Sequence, residues 1–230
     1  MPLARDWQVL LIGGASGTGK TAVASEVARA FDISVAQVDG YRLMLERVTS
    51  AECFPALHGY TRSAPSDAGQ PTLDGDELCA RWIDVAHEVS RALEIVLAFH
   101  AATEAAVVLE GDTLLPRLAS SRMLAGVPVF NRVRAVFLHE PDEARLRARL
   151  EHRGRGYQLL SPEAQARELT RNMAYGRWLA EQATAEHCPV IVPSHGDHVG
   201  GNIAATAARV VAQLSDERSR RTTRNIALMQ

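Results

Sequence analysis

Residues 13 to 21 read GGASGTGKT, and their surroundings decide the fold. Gly14, Gly19, Lys20 and Thr21 satisfy the spacing G-x-x-x-x-G-K-[ST]. Upstream, WQVLLI (residues 7 to 12) is an apolar run of the length a buried parallel strand needs. Downstream, KTAVASEVARAF has helical spacing. Strand, glycine loop and helix together are the context in which this pattern has a mechanism. The backbone N–H groups of Gly14, Ala15, Ser16, Gly17, Thr18 and Gly19 are expected to curl around phosphate oxygens, helped by the helix N-terminus. Lys20 then reaches the β and γ phosphates, and the Thr21 hydroxyl is placed to ligate Mg²⁺. These residues specify a triphosphate donor and leave the acceptor to be written elsewhere.

The 230 residues carry a formal charge of -2, with a pI near 6.4. That length allows one α/β domain with a sizeable core, and the charge gives no electrostatic footprint for nucleic acid. Cys53, Cys79 and Cys188 are odd in number and lack metal-ligand spacing, so a reducing compartment is expected. No signal-peptide or membrane-spanning pattern is apparent, and the expectation is a cytoplasmic monomer or homodimer without membrane or nucleic-acid partners.

Further short runs rich in β-branched residues occur at 33 to 38, 105 to 110, 133 to 138 and 189 to 192. Strands alternating with helical segments predict a five-stranded parallel sheet with helices on both faces. The long connection from 40 to 104 contains a loop-like stretch and a helix predicted over 76 to 101, whose alanine and leucine faces are read as core. After the fourth strand, a glycine-containing break at HRGRGYQLLSP between two helices is the expected place for a lid, about 150 to 163. One domain over 1 to 215 is expected, with an acceptor-covering insertion at about 49 to 77. The polar tail, 216 to 230, is assigned no structure.

Acceptor-side candidates cluster at predicted strand ends. VDGYR places Asp39 at the carboxyl edge of the sheet, where a carboxylate suits acceptance of a hydroxyl proton, with Arg42 one turn on to hold an anionic group. The competing assignment makes Asp39 a helix N-cap and Arg42 a solvated residue. VVLEGDTLLP brings Glu110 and Asp112 to the same edge, Glu110 toward the γ phosphate and its Mg²⁺, and Asp112 either toward substrate or as a helix cap. Among the lid arginines, Arg145, Arg147, Arg149, Arg153 and Arg155, two have i,i+4 glutamates: Glu143 for Arg147 and Glu151 for Arg155. Arg149 and Arg153 remain as the catalytic candidates for neutralising the transferring phosphoryl group. His58, Tyr60 and Arg62, in HGYTR, are either substrate contacts or part of a polar surface loop. His195 and His198 lack a third ligand for zinc.

A guanine-reading N-K-x-D string is absent, and the chain has little room for the helical domain of an AAA-type motor. Taken together, VLLIGGASGTGKT, VDGYR, VVLEGDTLLP and the arginine-containing lid resemble the P-loop small-molecule kinase superfamily over roughly residues 7 to 215. Within it the resemblance is nearest to the 2-phosphoglycerate kinase family, whose IGGASG-x-GK-[ST] loop is joined by an EG-x-x-L-x-P element. Glu110, Gly111, Leu114 or Leu115, and Pro116 fall in that element, although Thr113 stands where the family tends to carry histidine. The resemblance implies a three-layer P-loop nucleoside-triphosphate hydrolase fold of nucleotide-kinase type. It also implies ATP and Mg²⁺ as cofactors, and phosphoryl transfer to a small anionic metabolite. A nucleoside or nucleotide kinase, an antibiotic or sugar phosphotransferase, and an ATP-sensing regulator are the alternatives.

Overall fold

The computed structural model describes residues 2–63, 73–153, 156–196 and 202–228. At its centre lies β1 (Val9–Gly14), with all six residues buried. It pairs in parallel with β3 (Val107–Gly111) on one side and β6 (Val133–Leu138) on the other. Outside these lie β2 (Ser34–Gln37), against β3, and β7 (Val190–Ile191), against β6, giving the order β2-β3-β1-β6-β7. Side chains alternate across a strand, so β1 must serve two cores at once. Val9 and Leu11 face one core, and Leu10 and Ile12 face the other.

The first core is built with α4 (Gly75–Thr103) and α7 (Pro162–Ala185), and includes Val85, Val89, Leu93 and Leu97 from the face expected to be core. The second lies under α1 (Lys20–Phe31) and α8 (Ile203–Leu228), through Val23, Val27, Phe31 and Val210. Three layers result, as expected for an α/β nucleotide-kinase-like fold. The predicted helix over 76 to 101 is α4, started by a capping box between Asp74 and Glu77. Asp216 does not end order in the backbone, because α8 runs on to Leu228. The residues around it, Ser215 to Arg221, include good helix formers and no proline or glycine.

One small sheet was not foreseen. The strands β4 (Met123–Leu124) and β5 (Val127–Pro128) form an antiparallel hairpin between α5 (Arg117–Ser120) and β6. Its turn residues Ala125 and Gly126 both have positive φ, 44° and 80°, the geometry that lets a two-residue turn match strand twist.

After β2 comes α2 (Val38–Val48), and the segment expected to be an insertion, about 49 to 77, contains α3 (Pro55–Ser63). A buried carboxylate holds α3: Glu88 on α4 accepts hydrogen bonds from the Ala56 and Leu57 backbone nitrogens at 3.0 and 2.9 Å. Both nitrogens belong to the first turn of α3, where a side-chain acceptor can stand in for helix carbonyls. Glu88→Ala should therefore lower the unfolding free energy by about 1–3 kcal/mol, measured by urea titration, as a buried and a half-buried hydrogen bond to the carboxylate are lost.

Candidate phosphate and acceptor site

Parallel register brings the chemistry to one edge. Gly13 lies opposite Gly111, and Ile12 opposite Glu110, so the phosphate loop and the end of β3 leave the sheet side by side. Gln37 lies opposite Glu110 from the other side, which brings the start of α2 and Asp39 to the same edge. β1 is also where connections part to the two sides of the sheet, and such switch points bind ligands at their carboxyl ends.

The loop itself is shaped by its neighbours. A Cβ on Gly14 would fall 2.4 Å from the Leu138 carbonyl oxygen, and one on Gly17 would fall 2.8 Å from Leu146 of α6 (Glu143–His152). Both glycines also have positive φ, so the turn admits little else. Thr18 Oγ1 donates to the Ala15 carbonyl at 2.9 Å, closing the loop on itself. Gly19 is the N-cap of α1 and no side chain caps it, so the helix presents its first N–H groups to the loop.

Lys20 is 5% exposed, and its ammonium donates to the Ala15 carbonyl at 2.8 Å. It also forms an ion pair with Asp112 Oδ1 at 2.6 Å. The other oxygen, Asp112 Oδ2, accepts from Ser16 Oγ at 2.7 Å, while the Asp112 carbonyl accepts from the Tyr175 hydroxyl at 2.5 Å. Thr21 Oγ1 donates to Glu110 Oε1 at 2.9 Å. Burial alone would raise the Asp112 carboxyl, but the charge and hydrogen bond of Lys20, with the bond from Ser16, hold it below the ordinary aspartate value. For Glu110 burial wins, pushing it up despite Lys20 and Thr21.

Both capping alternatives fall away. Asp39 lies in the first turn of α2, whose N-cap is Gln37. Asp112 caps nothing either, because the N-cap of α5 is Pro116. Asp39 is half-buried and near enough to Glu110 for its charge to raise that carboxyl slightly. Arg42 is not simply solvated. It pairs with Glu46 at 3.3 Å and lies 5.8 Å from the centre of the Trp82 ring.

Beside it lies a group that the sequence had not singled out. Arg171 on α7 is 6% exposed, lies 5.2 Å from the same Trp82 ring, donates to the Tyr60 hydroxyl at 3.2 Å and pairs with Glu168. Among the described residues, Arg42 Nε, Arg171 Nε and Trp82 Nε1 are all buried without a hydrogen-bond partner. Arg171, Tyr175 and Leu179 stand four apart on the buried stripe of α7. A charge in phase with an apolar stripe was the available signal. Arg62 lies in α3, but its side chain is outside the described residues, as are Arg155 and His198. His58 is half-buried, with its Nε2 at 3.2 Å from Thr49 Oγ1.

The lid segment consists of α6, a 3₁₀ turn at Tyr157–Leu159 and the start of α7, whose N-cap is Ser161. Leu146, Leu150, Tyr157 and Leu169 give it a small core of its own. Arg147 is taken up by Glu143 at 2.8 Å, as its spacing suggested, and Arg145 contacts His195 Nε2 at 2.8 Å. Arg149 is buried, and its Nη1 lies 3.1 Å from Glu140 Oε2 as an ion pair without hydrogen-bond alignment. Arg153 is half-buried and lines two cavities. One, of about 370 Å³, lies over Gly19, Lys20 and Thr21, with Arg149 and Ile203 in its wall. The other, of about 160 Å³, includes Ser16, Tyr157 and Glu168.

A glycine loop of this geometry at the switch point of a β2-β3-β1-β6-β7 sheet, under a helical lid, defines the nucleotide-kinase-like P-loop fold. Comparison with known proteins agrees. The chain is 29% identical over 210 residues to a 2-phosphoglycerate kinase of Methanopyrus kandleri, covering 86% of this chain and 59% of that protein. A 2-phosphoglycerate kinase of Methanothermobacter thermautotrophicus is 25% identical over 192 residues, covering 80% and 60%. The chain thus spans about three fifths of the length of these relatives. A gluconokinase structure from Sinorhizobium meliloti superposes with a TM-score of 0.56 at 15% identity, covering 96% of this chain and 99% of that one. No protein-family model matches. Among the described residues no helix is long and apolar enough to cross a membrane.

The two carboxylates should affect stability with opposite sign. Glu110 has a raised value, so its ionised form destabilises the fold, and that penalty appears as pH rises through the folded value. Asp112 has a lowered value, so it contributes stability above the unfolded value that is lost as pH falls through the folded one. Urea titrations at neutral pH should find Glu110→Gln stabilised and Asp112→Asn destabilised, with both differences shrinking in acid.

Proposed function

We propose that this chain is an ATP-dependent phosphotransferase that passes the γ-phosphate to a small anionic metabolite. The observation that carries this reading is the pairing of two sites at one sheet edge. Lys20 and Thr21 stand on the donor side, and three buried N–H donors, from Arg42, Trp82 and Arg171, stand on the other with no partner among the described residues. Asp112 joins the sides, being bonded to Lys20 and close enough to Arg171 for each charge to affect the other. A hydrolase or a sensor has no use for a cluster of buried cationic donors beside its phosphate loop, whereas a kinase needs such donors for an anionic second substrate.

Donor phosphates lie along Gly14 to Gly19, with Lys20 neutralising charge on the β and γ groups. Thr21 and Glu110 offer a hydroxyl and a carboxylate 2.9 Å apart, a hard-oxygen pair that suits Mg²⁺. When bound, that ion supplies charge neutralisation on the phosphates. Among the described residues no three acidic, histidine or cysteine side chains form a metal cluster. Arg42 and Arg171 hold the acceptor's anionic group, with Tyr60 fixing the guanidinium of Arg171. Asp39 takes the proton from the acceptor hydroxyl as its oxygen bonds to the γ phosphorus and the bond to the β-phosphate oxygen breaks, releasing ADP. Arg153, reaching both cavities, and Arg149 behind it cover the transferring group and exclude water.

2-Phosphoglycerate suits this arrangement, since it carries two anionic groups and one free hydroxyl, and the similarity to two enzymes of that name makes it the first acceptor to try. ADP release should be screened against 2-phosphoglycerate, glycerate, gluconate, shikimate, nucleosides, nucleotides and aminoglycosides, with Lys20→Ala as blank. Stimulation by an anionic acceptor above the blank is expected. Slow hydrolysis that no acceptor stimulates would contradict the proposal. With the active acceptor, Asp39→Asn should lower kcat by about a hundredfold or more with little change in nucleotide affinity. Arg171→Gln should raise the acceptor KM by about tenfold.

A further inference from the structure

The ammonium that a P-loop offers to phosphate is already engaged here by a carboxylate. Asp112 Oδ1 lies 2.6 Å from Lys20 Nζ, and Ser16, itself a loop residue, donates to Oδ2 at 2.7 Å. Two side chains of the loop, Lys20 and Ser16, are therefore bonded to one protein anion. The arrangement is held from behind, because the Tyr175 hydroxyl fixes the Asp112 carbonyl and the Tyr175 side chain is 1% exposed. Glu110, two residues earlier, bonds Thr21 instead and leaves Lys20 to Asp112.

Resting on the kinase reading above, we propose that Asp112 is an internal counter-anion that competes with nucleotide phosphate for Lys20 and speeds release of the diphosphate product. A triphosphate displaces the carboxylate, because it brings more charge to Lys20 and also engages the loop N–H groups. After transfer, the product holds one phosphate fewer, and Asp112 can recapture Lys20 as ADP leaves. The pair also explains why a carboxylate is buried against a phosphate-binding loop, where an unpaired one would repel the ligand.

Isothermal titration of ADP and of an unhydrolysable ATP analogue tests this, using wild type, Asp112→Asn, Asp112→Ser and Asp39→Asn. The last removes a negative charge from the same edge without removing the partner of Lys20. Asp112→Asn and Asp112→Ser should bind ADP about tenfold tighter than wild type, the scale of one charge-assisted hydrogen bond, and stopped-flow dissociation should slow accordingly. Asp39→Asn should leave ADP affinity near the wild-type value. Thermal unfolding of the same samples identifies a variant that does not fold, and the other Asp112 variant then carries the test. Equal or weaker ADP binding by the folded Asp112 variants would overturn the inference, as would equal tightening by Asp39→Asn. Failure of wild type to bind either nucleotide would instead overturn the donor site itself.

Discussion

The parallel pairing of β1 with β3 is the constraint on which the site depends. With Gly13 set opposite Gly111, the phosphate loop and the EGD turn emerge together, and the Lys20–Asp112 and Thr21–Glu110 contacts follow. A slip of one residue would reverse every side chain on β1, moving Leu11 out of one core and Leu10 out of the other. The register is thus specified twice, by apolar packing on both faces of a central strand. The precision of the polar contacts comes from that packing and needs no rigidity in the loop itself.

Helix α7 supplies the second frame. It passes close to the loop at Gly176, where a Cβ would make ordinary contact, 3.4 Å, with the Ala15 Cβ and with His139 Nδ1. Next to Gly176 in sequence, Tyr175 fixes the Asp112 backbone, and one turn before Tyr175 Arg171 meets Tyr60 and Trp82. The N-terminal end of the same helix belongs to the lid, through Leu169. Residues of the lid core, the Arg171 cluster and the contact to Asp112 therefore all belong to one helix. Burying Arg171 is costly, and Glu168 and Tyr60 offset that cost by keeping it charged.

Most of the fold was legible because it rests on local signals. The five strands and α4 follow from apolar runs and periodicity. The hairpin at Met123–Pro128 was missed because strands of two residues carry no period. On the donor side, sequence spacing is geometry, since the loop residues are contiguous. On the acceptor side it is not: Arg171 is 111 positions from Tyr60, and only the packing of α7 on α4 brings it to Trp82. Asp112 was recognised as a candidate, but its bond to Lys20 depends on the sheet register and so could not be read from either segment alone.

The central claim is that a nucleotide and an anionic acceptor meet at this edge. A crystal structure of the protein grown with an unhydrolysable ATP analogue, Mg²⁺ and 2-phosphoglycerate tests it most directly. The account predicts the triphosphate along residues 14 to 21 and a second anion within hydrogen-bond reach of Arg42 and Arg171, its hydroxyl facing Asp39. A triphosphate bound as described, with the second anion elsewhere and Arg42 and Arg171 contacting only protein, would contradict it.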